Sequence, residues 1–192
     1  MQPRLAVTDL ACRRGDRLLF RGLGFACHEG EAVQVLGDNG VGKSSLLRLC
    51  AGLLTPFAGT IVRTGPAALL DERLALDANL PLGRALGFWC GLDGAEPGAA
   101  MGPLDLEHLA QVPVRYLSTG QRKRAMMARV LGQKAPLWLL DEPLSGLDEP
   151  ARALIAGLVA EHCAGGGTAV IASHQPLGLP GLRAIHLRDF AA

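Results

Sequence analysis

Apolar residues alternate with polar ones or run together over residues 5–10, 18–27 and 32–36, with charged or glycine-bearing turns around Gly15 and Gly30 between them. A repeat near two residues predicts β-strands, the first two antiparallel and the third buried. From residue 45 to 53 the period lengthens, and Leu46, Leu47, Leu49 and Leu53 fall at helical spacing. Between this strand and this helix, residues 37–44 form a glycine-rich turn. Two short strands follow at 61–63 and 67–70, then an amphipathic helix over 82–92. Residues 93–103, rich in Gly, Ala and Pro, read as a loop.

Thr119 opens a second long helix that reaches about Gln133. Its Arg122, Lys123 and Arg124 read as a solvated first turn, and Met126 and Met127 as core. Residues 137–140 are wholly apolar and end in two adjacent carboxylates, the pattern of a parallel strand buried on both faces. A helix over 150–163, a strand over 168–172 and a last strand over 184–187 complete the chain. Strands alternating with helices predict an α/β fold, with an open, mostly parallel sheet behind an antiparallel start. A length of 192 residues fits one domain.

Composition narrows the function. There are 19 Lys plus Arg against 18 Asp plus Glu, and the pI is near 7.7. That balance provides no basic stripe to neutralise phosphates along a nucleic acid, so no nucleic-acid partner is expected. A mean hydropathy of +0.24 raises the question of a membrane span. The longest stretch without Asp, Glu, Lys or Arg, residues 162–182, contains three successive glycines, Ser173, His174, Gln175 and two prolines. No helix could carry that sequence through hydrocarbon. The N-terminus lacks the charged start and apolar centre of a secretory signal, so the chain is expected to stay in the cytoplasm. Cys12, Cys27, Cys50, Cys90 and Cys163 have neither C-x-x-C nor paired His spacing. They read as small buried hydrophobes rather than a zinc site or a disulfide framework.

Three segments carry chemistry. Gly37, Asp38, Asn39, Gly40, Val41, Gly42, Lys43 and Ser44 satisfy G-x-x-x-x-G-K-[ST], and Ser45 continues into the helix. The motif sits after a buried strand and before a helix, where backbone N–H groups and the helix N-terminus can cradle a phosphate chain. Lys43 is placed to reach the β- and γ-phosphates of ATP, and Ser44 to hold Mg²⁺. The strand over 137–140 delivers Asp141 and Glu142 at its C-terminal end, where ligands bind in open α/β sheets. Asp141 is expected in the Mg²⁺ shell, and Glu142 as the group that polarises the attacking water. These two segments specify only a nucleotide-binding P-loop protein, a pattern that kinases, GTPases, helicases and ATPases share.

The third segment discriminates among such proteins. Leu117, Ser118, Thr119, Gly120 and Gln121, some twenty residues before the carboxylates, resemble the signature motif of ABC ATPases. Pro143 to Asp148, with Ser145 and Asp148, resembles their D-loop, and His174 after an apolar strand resembles their switch histidine. The resemblance implies a P-loop NTPase fold of the ABC ATPase type. Its parts are a RecA-like, mostly parallel core, an N-terminal antiparallel β subdomain and a short α-helical insert. By register, residues 1–80 and 134–192 form the core with its β subdomain, and about 81–133 the helical subdomain. It also implies a role for His174 at the γ-phosphate and a head-to-tail ATP sandwich, in which each signature covers the nucleotide of a second copy of the chain. With one copy of each motif, the chain is expected to pair before it turns over ATP.

Within that family, the opening over residues 10–25, the phrase around Leu117 to Ala125 and the strand before Asp141 resemble the ATP-binding subunit of the bacterial cytochrome c maturation (haem) exporter. That resemblance implies a peripheral location on the cytoplasmic face of the inner membrane, integral membrane permease subunits as partners, and haem-related export or release as the work done. Transport of another cargo, or a soluble non-transport role, is the competing expectation. The soluble proteins of the family carry a long coiled coil or two ATPase domains, and this sequence has neither.

Two positions depart from the family pattern. The region that usually supplies an aromatic residue for adenine has Cys12, Arg13, Arg14 and Gly15, which leaves Arg14 as a candidate stacking group. The glutamine usually found after the strand following the P-loop is missing, and Glu72 or Asp71 fills its place, Glu72 being the candidate Mg²⁺ contact. An apolar docking surface for membrane partners is expected on residues 82–92, around Phe88 and Trp89.

Overall fold

The computed structural model describes residues 2–94, 97–174, 177–178 and 181–192. Two sheets organise the chain. The first is antiparallel, with order β2-β1-β4, formed by β1 (Leu5–Arg14), β2 (Arg17–Cys27) and β4 (Ala58–Arg63). The second is parallel throughout its described pairs and has the order β5-β6-β7-β3-β8. It is built from β3 (Ala32–Leu36), β5 (Ala67–Leu70), β6 (Leu137–Asp141), β7 (Thr168–Ser173) and β8 (Arg183–His186). An antiparallel start before a parallel core is the α/β architecture the sequence predicts.

Alternation along the central strands explains why they are apolar at every position. In β6, Leu137 and Leu139 face a core shared with α1 (Lys43–Cys50) and the antiparallel sheet, while Trp138 and Leu140 face the helices. In β7, Val170 and Ala172 point one way, and Ala169 and Ile171 the other. A strand with both faces covered has no polar side to reveal its period. The helical layer contains α2 (Leu82–Asp93), α3 (Pro97–Met101), α4 (Thr119–Gly132) and α5 (Glu149–Ala164).

Several elements differ from expectation for identifiable reasons. β1 continues four residues past its predicted end, because register shifts with Asp9 at φ 48° let it bend and keep its pairing with both neighbours. α1 starts two residues early and stops before Leu53. The Gly52 N–H bonds to the Leu49 carbonyl and the Leu53 N–H to the Arg48 carbonyl, closing the helix with Gly52 in the left-handed region. Leu53 is thereby turned out to solvent. The predicted loop at 93–103 contains α3 and a 3-10 turn at Gly102–Leu104, with Ala100, Met101 and Leu104 buried. A run of small residues looked like a linker, but alanine is a strong helix former, and Ala100 packs beside Gly132 of α4.

Four of the cysteines are buried as expected, and Cys163 is half-buried. Burial pushes the Cys50 and Cys27 thiols up to about 12. No helix among the described residues is long and apolar enough to cross a membrane.

Near the N-terminal end of β6, away from the site at its C-terminal end, the His162 ring stacks on Trp138 with centroids 3.8 Å apart and planes within 6°. A Cβ on Gly167 would lie 2.3 Å from His162 Cε1. Gly167→Ala therefore has to expel the ring from its stack. The expected cost is roughly 1–3 kcal/mol of overpacking, read as about 2–4 °C of melting temperature per kcal/mol for a chain of this size. An unchanged melting temperature would refute this packing argument.

Candidate functional site

The P-loop joins the C-terminal end of β3 to α1. Gly42 has φ +114°, and a Cβ there would meet the Phe20 ring at 3.1 Å, so the loop can turn into the helix beneath β2 only with glycine at this position. At Gly37, a Cβ would lie 2.8 Å from Val41 Cγ1. The Lys43 side chain is 6% exposed. Its ammonium donates to the carbonyls of Gly37 at 2.6 Å and Asp38 at 3.1 Å, and sits 3.6 Å from Glu142 Oε1. Asp38 also pairs with Arg188.

Asp38, Asn39, Gly40, Lys43, Ser44 and Ser45 line a cleft of about 320 Å³ together with Leu19, Glu72, Asp141 and Glu142. Asp141 ends β6 and is buried. Its Oδ1 has no hydrogen-bond partner among the described residues, while the Ser44 hydroxyl bonds to the carboxylate. Burial holds the Asp141 carboxyl above the usual range, with the neighbouring Glu142 and Glu72 adding to the effect and Lys43 opposing it. A buried carboxylate oxygen without a hydrogen-bond partner among the described residues, beside a serine hydroxyl, offers oxygen donors suited to a hard divalent cation.

Glu142 follows at φ 45°, a left-handed backbone that costs a non-glycine residue roughly 1–2 kcal/mol. Its N–H donates to the Ala172 carbonyl of β7 at 2.9 Å. Its own carbonyl accepts from the Ser145 N–H at 3.2 Å and from the Lys123 ammonium at 2.9 Å. A charge-assisted bond of that kind contributes roughly 1.5–3 kcal/mol, enough to offset the strain. The carboxylate is hydrogen-bonded at one oxygen: Oε2 lies 2.9 Å from His174 Nδ1, while Oε1 is paired with the Lys43 ammonium at 3.6 Å and has no hydrogen-bond partner among the described residues.

The signature residues line a different hollow. Ser118, Gly120 and Gln121 face Gly146, Leu147 and Asp148 across about 560 Å³. Ser118 caps α4: its Oγ accepts from the Gln121 N–H at 3.2 Å, and the Gln121 Oε1 accepts from the Ser118 N–H at 2.8 Å. Leu117 is buried beneath this cap. Thr119 and Ser145 line a groove that also holds His174 and Glu142. Asp148 caps α5 by accepting from the Ala151 N–H at 3.1 Å.

Some expectations change. Arg14 is exposed at the end of β1, and the antiparallel sheet instead contributes Leu19 to the cleft. Of the two candidates for the missing glutamine, Glu72 lines the cleft, whereas Asp71 is paired with Arg48 at 3.3 Å. The basic turn after the signature is not simply solvated. Arg122 donates to the Arg115 carbonyl, Arg124 to the Leu104 and Asp105 carbonyls, and Lys123 reaches into the site. Burial lowers the Lys123 pKa from its ordinary value, against the pull of Asp141, Glu142 and Glu72. Its position three and four residues before the buried Met126 and Met127 was the available signal.

A phosphate loop at the end of one parallel strand, two carboxylates at the end of another and a capped helix facing a separate hollow define an ATP-binding and ATP-hydrolysing subunit of the ABC type. Residues 20–145 match the ABC transporter family, and the chain belongs to that family. Over 187 residues it is 57% identical to the cytochrome c biogenesis ATP-binding export protein CcmA of Novosphingobium aromaticivorans, covering 97% of this chain and 96% of that protein. It is 52% identical over 181 residues to the protein of the same name from Sphingopyxis alaskensis, covering 93% of each. Among solved structures, an ABC transporter ATP-binding protein from Pyrococcus furiosus superimposes with a TM-score of 0.85 at 22% identity, over 98% of this chain and 99% of that one. At that identity the likeness concerns the fold.

Proposed function

We propose that this chain couples ATP binding and hydrolysis to haem-related export or release in cytochrome c maturation, as a peripheral subunit on the cytoplasmic face of the inner membrane. The observation that carries the reading is near-full-length similarity, at 57% and 52% identity, to proteins whose names state that process. The expected result of deleting the chain from its host is loss of covalently haem-bearing c-type cytochromes, read by haem staining of denaturing gels. Normal maturation in the deletion strain would overturn the assignment.

At the site, residues 37–45 wrap the phosphates of ATP, and Lys43 exchanges its carbonyl partners for β- and γ-phosphate oxygens. Ser44 and Asp141 hold Mg²⁺, with Glu72 as a further contact. The ion supplies charge neutralisation at the phosphates. Glu142 accepts a hydrogen bond, and then the proton, from the attacking water at Oε1, the carboxylate oxygen with no hydrogen-bond partner among the described residues. His174 keeps the other oxygen in place through Nδ1 and leaves Nε2 for the γ-phosphate.

Leu117, Ser118, Thr119, Gly120 and Gln121 act in trans. They present a helix N-terminus to the nucleotide of a second copy, with Ser145 and Asp148 at the same junction. The separate hollow in front of Ser118 and Gly120 supports this division of labour. Residues 1–80 and 134–192 serve as the core with its β subdomain, and about 81–133 as the helical subdomain. Integral membrane permease subunits dock on the helical layer, where Phe88 is 62% and Leu92 67% exposed one turn apart on α2. Trp89, expected at the same surface, is drawn inward: its indole donates to the Ala75 carbonyl at 2.6 Å and its ring lies under Arg129.

A further inference from the structure

Lys123 is on α4, two residues beyond the signature's Gln121, yet its ammonium ends 2.9 Å from the main-chain carbonyl of Glu142. Glu142 has a left-handed backbone, at φ 45°, unusual for a residue with a side chain. Its carboxylate extends from that backbone and meets His174 at Oε2 and the Lys43 ammonium, 3.6 Å away, at Oε1. The peptide before it is tied to β7 through Ala172, and the carbonyl after it is tied to Ser145 and to Lys123. Of these ties, only Lys123 comes from the helical layer. The ammonium occupies a groove lined by Glu72, Thr119, Met126 and, from the phosphate loop, Asn39, and it makes no described hydrogen bond to that loop.

We propose that Lys123 is a positioning residue for Glu142: by holding the Glu142 carbonyl, it sets the backbone from which the carboxylate is aimed into the cleft. This rests on the reading of Glu142 as the group that takes the proton from water. The helix that offers its N-terminus to a second nucleotide thereby also holds the hydrolytic carboxylate of its own chain.

The geometry separates this role from phosphate binding and from bulk stability. A misaimed carboxylate slows the chemical step, whereas the cradle of residues 37–45 is untouched, so turnover falls without loss of affinity. The test is steady-state MgATP hydrolysis and direct MgATP titration on the full chain carrying Lys123→Met, Lys123→Gln or Lys123→Arg. Lys123→Met and Lys123→Gln, which lack the reach or the charge, are expected to lower kcat about tenfold, with KM and the MgATP dissociation constant within about twofold of wild type. Lys123→Arg, still long and cationic, is expected to return kcat to within about threefold.

Wild-type kcat in Lys123→Met would overturn the proposal. So would a KM that rises as kcat falls, or an arginine form as slow as the glutamine form. Where Lys123→Met does not fold, the contrast between arginine and glutamine decides, equal rates counting against the proposal. Failure of the underlying reading looks different, because Glu142→Gln would then hydrolyse MgATP at the wild-type rate before any Lys123 form is compared.

Discussion

Glu142→Gln is expected to lower ATP turnover by roughly 10²- to 10⁴-fold, the usual contribution of a general base, while MgATP binding is preserved. In barrier terms that is about 3–5 kcal/mol. Glutamine has the same shape, so the His174 contact survives as a neutral hydrogen bond. The main-chain bonds to Ala172, Ser145 and Lys123 do not involve the side chain. What is lost is proton affinity at Oε1, 3.6 Å from the Lys43 ammonium. Binding without turnover should trap two copies around two nucleotides. Gel filtration with light scattering in MgATP should therefore give twice the monomer mass for the variant. A monomer under those conditions would refute the head-to-tail sandwich, and a wild-type rate would refute the role of Glu142.

Much of this site was legible because its chemistry restricts residue type. A phosphate loop requires glycine where the backbone turns closely past other atoms, and Gly42 against Phe20 is such a place. Two short strands of the parallel sheet were also readable. β3 and β5 have the predicted limits, since a short apolar run between a charged turn and a glycine leaves little freedom. Less legible were features whose cause is distant in sequence. α3 combines the helix propensity of alanine with burial of Ala100 and Met101 against the rest of the helical layer, and the second of these is distant in sequence. Lys123 was read by its charge, although the helical period places it on the same side as Met126 and Met127. Its partner lies 19 residues away and is a backbone carbonyl, which leaves no trace in the sequence. On the side where Arg14 is the candidate for adenine, Arg14 is exposed at the end of β1 and Leu19 of β2 lines the cleft.

Lys43→Ala is expected to weaken MgATP binding by roughly 10- to 150-fold, from the loss of a charge-assisted bond worth about 1.5–3 kcal/mol. The measurable loss is a difference between two states. Without nucleotide, the ammonium is not free in water. It is bonded to the Gly37 and Asp38 carbonyls and paired with Glu142, and ATP must compete with those partners. The carbonyls released on binding can turn to solvent, since Asp38 is exposed, so the exchange favours phosphate through its full negative charge. Alanine also removes an apolar stem that is almost wholly buried. Lys43→Met keeps most of that stem and is the sharper comparison. Equal loss in both variants, titrated with a fluorescent ATP analogue, assigns the effect to the ammonium. A methionine form that binds as tightly as wild type would show that the stem, and not the charge, holds the phosphate loop in its binding shape.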